Sequence, residues 1–247
     1  MGDTWNESTP TFTQMTANLK IMGGDADVDN FLKATRSNVH DLEAAVVELK
    51  AKALKDKFED NFIYGDSAAN AKQFDGIRKL IDPTTAGAQV VAMGATGAAL
   101  TLAKLDELID AVKGGKPDVL LMSRRSRRKI NNLVRAAGGM MESDRDKWGN
   151  FIQFWDGIPI AVNDWILDTH TLAGSVETAT TGGACSTIYA LQFGEGALCG
   201  LTSPGQMQVE PIGSLETKDA TRTRLKWYVS LALFSAVKAA ALIGVQD

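Results

Sequence analysis

Cysteine is nearly absent: Cys185 and Cys199 are the only two among 247 residues. Two thiols in small-residue or apolar surroundings cannot make a disulfide framework, and such usage fits a reducing compartment. Histidine is equally scarce, with His40 and His170 alone, and neither has the spacing of a zinc site. No apolar run approaches the ~20 residues that cross a bilayer as a helix. Met1 to Pro10 is polar and lacks the charged-then-apolar order of a signal peptide, so the chain is expected to begin life in the cytoplasm. A bias toward positive charge is missing too: 26 Lys and Arg stand against 30 Asp and Glu, a formal net charge of -4. General affinity for nucleic acid, which rests on phosphate neutralisation, is therefore not expected of the whole surface. Internal repeats and low-complexity stretches are also lacking.

Motifs that would announce chemistry fail on inspection. Asp25-Ala26-Asp27-Val28-Asp29 begins like a calcium loop, but the sixth and twelfth places hold Asn30 and Arg36 instead of Gly and Glu. The segment reads as a solvated acidic turn, introduced by Gly23-Gly24-Asp25. Gly114-Gly115-Lys116-Pro117 lacks the spacing of a phosphate loop, and Gly94-Ala95-Thr96-Gly97 is a small-residue turn. Cys185 has no nucleophile motif around it, and nothing in the sequence brings His170 to it, so a small buried cysteine is expected. His40 reads as a surface residue at a helix start. No catalytic residue, metal or cofactor is predicted.

With 45% hydrophobic and 23% charged residues, the chain suits one large globular domain or two modest ones. Thr11 to Met22 alternates weakly and reads as extended. From Val39 the spacing turns helical: Val39, Leu42, Val46, Leu49 and Ala53 form a stripe that Leu54, Phe58 and Phe62 continue. Asp41 and Glu43 lie in its first turns, where the helix dipole favours them, and Gly65 ends it. A helix of ~24 residues spans roughly 36 Å and needs a long partner surface. Pro83 to Gly97, rich in Gly, Ala and Thr, is a candidate crossing between subdomains. Leu100 to Val112 is a second amphipathic helix, Asp118 to Met122 a short buried strand, and Ser123 caps a third helix to Ala137. Gly138 to Asn150 reads as a polar loop, and Ile158 to Val162 and Ser186 to Phe193 as strands, with a Thr- and Gly-rich stretch from Thr169 to Gly183 between them. From Thr221 to Phe234, Thr223, Leu225, Trp227, Val229, Leu231 and Leu233 alternate with Arg222, Arg224 and Lys226. Such alternation marks a long half-buried strand, comparable in length to the first helix.

Two surfaces stand out. Arg124, Arg125, Arg127, Arg128 and Lys129 form the one concentrated basic patch. No aromatic is interleaved, so base stacking is not expected, and contact with a neighbouring subunit or a solvated face is favoured over packaged DNA. Trp148, Phe151, Phe154, Trp155 and Trp165 fall within eighteen residues. Core or interface packing is the usual role of such a group.

Asp27-Val28-Asp29-Asn30-Phe31, Glu59-Asp60-Asn61-Phe62-Ile63-Tyr64-Gly65-Asp66, Phe74-Asp75-Gly76-Ile77, Lys116-Pro117-Asp118-Val119-Leu120-Leu121-Met122-Ser123, Trp155-Asp156-Gly157-Ile158-Pro159-Ile160 and Leu215-Glu216-Thr217-Lys218-Asp219 occur in an order and spacing that resembles the tailed-phage major capsid protein. Encapsulin shells share that Hong Kong 97 fold. The resemblance implies a mixed α+β chain with a long spine helix, long β-strands and an axial α/β domain. Residues 1–34 would be an N-terminal segment with a remnant of the extended loop, 35–91 and 206–247 a discontinuous peripheral domain, and 92–205 the axial domain. It implies self-assembly through pentamers and hexamers into an icosahedral head around double-stranded DNA, built in the host cytoplasm without membrane contact. Scaffold, portal and decoration proteins would be partners, and packaged DNA would be touched weakly and non-specifically. Relative to the family the lead before Thr11 is short, so a truncated, processed or naturally short clasp is expected. Tyr228, Val229 and Ser230 precede Leu231 with no glutamate, so the lysine–asparagine cross-link of some relatives is not predicted. An encapsulin-type compartment is the alternative, and a small-molecule enzyme built on the aromatics near Trp155 a weaker one.

Overall fold

The computed structural model describes residues 16–36, 41–82, 88–145, 147–174, 176–179, 181–205 and 207–246. Met1 to Pro10, the start of the extended reading from Thr11, His40 and the first part of the Pro83 to Gly97 crossing lie outside these residues.

A long helix and a long strand dominate. Helix α2 (Leu42–Tyr64) follows a short helix α1 (Asn30–Arg36). The Asp41 carboxylate accepts from the Glu43 and Ala44 amides at 3.1 and 3.2 Å, satisfying donors that the first turn leaves free. Gly65 stops the helix, its amide donating to the Asn61 carbonyl at 2.8 Å. A Cβ there would run into the Phe74 and Asn61 carbonyls, so the close approach requires glycine. The expected apolar stripe holds only in the second half. Leu54, Asn61 and Ile63 are buried, whereas Leu49 is 65% exposed. Among the described residues the first half of the helix is only partly covered, with Leu42 and Val46 half-buried.

Strand β13 (Ala220–Leu233) is the axis of a four-stranded sheet. On one side it pairs antiparallel with β1 (Lys20–Asp29); on the other with β11 (Leu198–Thr202) and β12 (Gln208–Ser214). Leu225, Val229, Leu231 and Leu233 are buried, as the alternation requires. Gly23-Gly24-Asp25 is not a turn, and the acidic run after it is not a loop. Both lie inside β1, with Gly24 opposite Leu225. Gly23 is there because a Cβ would strike the Leu225 carbonyl. Asp25 and Asp27 project from one face, where Arg224 and Arg222 clasp them with two hydrogen bonds each, at 2.7 and 3.0 Å and at 2.6 and 2.7 Å. The carboxylates mark a strand that faces a basic strand.

The second sheet has eight strands. Its path runs β2 (Val90–Ala92), β14 (Ala239–Gln246), β10 (Ser186–Leu191), β4 (Val119–Met122), β7 (Ile158–Val162), β6 (Phe151–Trp155) and β5 (Glu142–Arg145), with β3 (Ala98–Ala99) also on β14. Residues Gly138 to Asn150 are thus no plain polar loop, since β5 lies within them and pairs with β6, which follows directly. Strands β10 and β14 are buried on both faces, and so read as continuous apolar runs without alternation. The short pieces β8 (Thr171–Ala173) and β9 (Val176–Thr178) form a separate hairpin inside the Thr- and Gly-rich stretch.

Helices α4 (Leu102–Ala111) and α5 (Arg124–Ala136) begin at Thr101 and Ser123, whose hydroxyls accept from the Lys104 and Ser126 amides. Both pack on one face of the eight-stranded sheet, where Leu105, Leu108, Ile130 and Val134 meet Leu120, Met122, Ile188 and Leu242. The opposite face, with Leu121, Tyr189, Ala241 and Ile243, closes on Ile63, Phe74 and Val229. Ile77, at the head of the one-and-a-half-turn helix α3 (Ile77–Ile81), joins that second core.

Candidate functional site

The most enclosed polar group lies where the end of α2 meets the eight-stranded sheet. His170 and Glu177 are both 0% exposed. His170 Nδ1 lies 2.8 Å from Glu177 Oε1, and Tyr64 Oη 2.9 Å from His170 Nε2. Thr187 Oγ1 donates to Glu177 Oε2 at 2.6 Å. Arg78 donates to the Glu177 carbonyl, and its guanidinium lies 3.6 Å from the carboxylate. Burial pushes the Tyr64 phenol well above its usual pKa. It therefore keeps its proton, which it can give to Nε2 while accepting from the Leu167 amide at 2.9 Å. That assignment leaves Nδ1–H to donate to Glu177, and every ring nitrogen is then used.

Although the sequence offers no link between His170 and Cys185, the fold brings their main chains together as an antiparallel bridge, with N–H to O distances of 2.9 and 3.0 Å. No nucleophile–base pair results. The imidazole turns to Tyr64 and Glu177, while Cys185 Sγ accepts from Gln246 Nε2 at 3.4 Å. This cluster is an internal clasp joining α2, α3, the β8–β9 hairpin and β10. Sequence reasoning missed it because its members are scattered from residue 64 to 187.

The basic patch is divided by the fold. Arg124 forms a two-point pair with Asp164 at 2.5 Å. Arg125 reaches inward to the carbonyls of Ala184 and Val245 at 2.8 and 3.3 Å, tying α5 to the neighbouring strands. Arg127 and Arg128 are exposed and Lys129 half-buried, and none of the three forms an ion pair among the described residues. Arg135 extends the same exposed face.

The aromatic group is also split. Trp148 is 83% and Phe151 69% exposed on the β5–β6 hairpin, with Arg145 stacked on the Phe151 ring at 4.8 Å. Phe154 and Trp155 are half-buried at the hairpin's root, where Trp155 Nε1 donates to Asp106 at 3.0 Å. Trp165 stands apart, after β7. The root aromatics line a solvent-open groove of about 440 Å³ together with Asp106, Asp110, Met140 and Glu142. Exposed aromatics on a projecting hairpin suit contact with another macromolecule better than enclosure of a small one.

A long helix along a long-stranded sheet, joined to an α/β layer with the buried clasp between them, is the architecture of the Hong Kong 97-type shell fold. Solved structures agree. The chain is similar to the SrpI encapsulin of Synechococcus elongatus PCC 7942, with a TM-score of 0.72 at 21% identity over 92% of this chain and 74% of that one. It is also similar to the capsid of Myoviridae phage XM1, at 0.61 and 13% over 97% and 81%, and to the capsid of the empty GTA particle, at 0.59 and 15% over 99% and 81%. No curated protein matches the chain. Residues 2–179 match the family model described as SU10 major capsid protein, so the chain belongs to that family. Its function is structural: it builds the shell of a phage head and resides in the virion.

Proposed function

We propose that copies of this chain assemble through pentamers and hexamers into a closed icosahedral head around double-stranded DNA. The observation that carries this reading is exposed apolar surface: Met140 is 93%, Trp148 83%, Phe151 69% and Leu49 65% exposed. Monomeric proteins rarely leave such groups uncovered, and burial between copies supplies the driving force. Arg127, Arg128 and Lys129 on α5 and Trp148, Phe151, Phe154 and Trp155 are assigned to contacts between subunits. Arg124 and Arg125 hold α5 in place for them.

In this reading residues 35–91 and 206–247 form the peripheral domain and 92–205 the axial one, with 1–34 reaching to neighbours. Strand β14 returns from the peripheral segment to lie between β2 and β10 in the eight-stranded sheet, so the two domains share a backbone ladder. A net charge of -4 leaves the inner wall with only weak, non-specific attraction for DNA. Scaffold, portal and decoration proteins are further partners, and assembly takes place in the host cytoplasm.

Negative-stain electron microscopy of the purified chain at moderate salt tests the reading. Hollow shells, or free pentamers and hexamers, are expected. Nuclease-protected DNA in particles made during infection would support the head. An enclosed cargo enzyme would favour the compartment that the encapsulin likeness suggests. A chain that stays monomeric in all conditions, with or without further N-terminal sequence, overturns both.

A further inference from the structure

We propose that the acidic groove beside α4 receives the basic face of α5 from the neighbouring copy, making a head-to-tail contact that repeats around a ring. The inference rests on the shell reading and names the two surfaces that meet.

Asp106 and Asp110 stand one turn apart on the exposed side of α4, and Glu142 opens β5 across the groove. Among the described residues Asp106 accepts only the Trp155 indole N–H, and neither Asp110 nor Glu142 forms an ion pair. Elsewhere this chain matches its charges closely, as in Asp25 with Arg224, Asp27 with Arg222 and Glu210 with Lys226. Even Asp156, on the same groove, is held by Lys116 at 2.6 Å. The three unmatched carboxylates are answered by an unmatched basic surface: Arg127, Arg128 and Arg135 are exposed on α5, with Lys129 half-buried beside them.

Within one molecule the described residues of these two surfaces form no ion pair with each other. Ile130 and Val134 point α5 inward, so its basic side faces away from the sheet. Helix α4 packs over β14 and β2, and α5 packs over β7. Different surfaces meeting between identical copies make a heterologous contact, and repetition closes a ring when the rotation per copy allows. The groove also suits arginine in its apolar part. Met140 and the Trp155 and Phe154 rings offer a floor on which guanidinium groups stack and long stems lie. Complementary fields of this kind set register and suppress wrong neighbours.

Charge reversal in pairs tests the contact. The Asp106→Lys/Asp110→Lys variant and the Arg127→Glu/Arg128→Glu variant are each expected to lower assembly by about tenfold or more at moderate salt. Combining all four substitutions restores it. Thermal melting of unassembled subunits checks folding, and little change is expected because all four positions are exposed and the one hydrogen bond lost, from Trp155 to Asp106, is itself at the surface. Assembly of either reversed variant at the wild-type level overturns the contact, as does failure of the combined variant to recover. Normal shells of the α5 variant that hold less DNA would also overturn it, assigning α5 to the genome instead. A wild-type chain that never assembles overturns the shell reading and this contact with it. A wild type that assembles beside equally competent variants overturns the contact alone.

Discussion

Glu177 shows how much one buried side chain can hold. Its carboxylate takes bonds from His170 and Thr187 and compensates Arg78, which is itself largely buried. A lone charge in that position is costly, so removing the partner matters more than the net contribution of the pair. Glu177→Ala is expected to cost about 3–5 kcal/mol, because it strands the Arg78 charge and two donors. Chemical denaturation of the unassembled subunit measures it, and a loss below 1 kcal/mol would mean that water takes the carboxylate's place. None of this was legible in the sequence. His170 and Glu177 sit in a stretch rich in Thr and Gly, and only the packing of β8, β9 and β10 brings them beside Tyr64 and Arg78. His170 therefore read as an isolated residue, and Cys185 as unrelated to it.

Among the elements, those with periodic patterns were legible. The end of α2 at Gly65, the Ser123 cap of α5 and the alternation of β13 all came from local chemistry. Strand β1 did not, because its two glycines imitate a turn while serving a close backbone approach to β13. Gly23→Val is expected to destabilise by about 1–3 kcal/mol, since the new side chain must displace the Leu225 carbonyl. Unfolding midpoints in urea would show this, and an unchanged midpoint would show that β1 can shift freely. The same pairing has an acid signature. Hydrogen bonds from Arg224 and Arg222 hold Asp25 and Asp27 below the usual carboxylate range. A lowered folded pKa means stabilisation that is complete above the ordinary value near ~4 and fades as pH falls through the folded one. Both groups are solvent-facing, so the effect is modest and salt-sensitive. Between pH 6 and pH 3 the Asp25→Asn/Asp27→Asn variant should lose less of its Tm than the wild type; equal losses would show that these pairs add nothing.

On the scale of the whole molecule, stability and assembly should separate cleanly. Trp148 is 83% exposed, so Trp148→Ser should leave the subunit's melting temperature within a degree or two of the wild type. Burial of a large aromatic between copies would still be lost, and the concentration needed for assembly should rise by about tenfold or more. Light scattering against protein concentration gives that threshold, and an unchanged value would remove the hairpin from the interface. The two cores support this separation. One lies under α4 and α5 and the other under α2 and β13, and neither uses Trp148 or Phe151.

What the sequence alone determined was local: the length and ends of the spine helix, the alternating strand beside it, the cap of α5, and the ordered segments that resemble a phage capsid protein. Each depends on neighbours within a turn or a strand, which the chain order contains. Only the tertiary structure decided which strands are central. Ala239–Gln246 carries no alternation because both of its faces are covered, and its place between β2 and β10 depends on residues about 150 and 50 positions away. It also decided which basic residues of α5 are spent internally and which stay exposed. Charge matching is a matter of distance in space, and Arg124 finds Asp164, 40 positions along the chain, only after the sheet has formed.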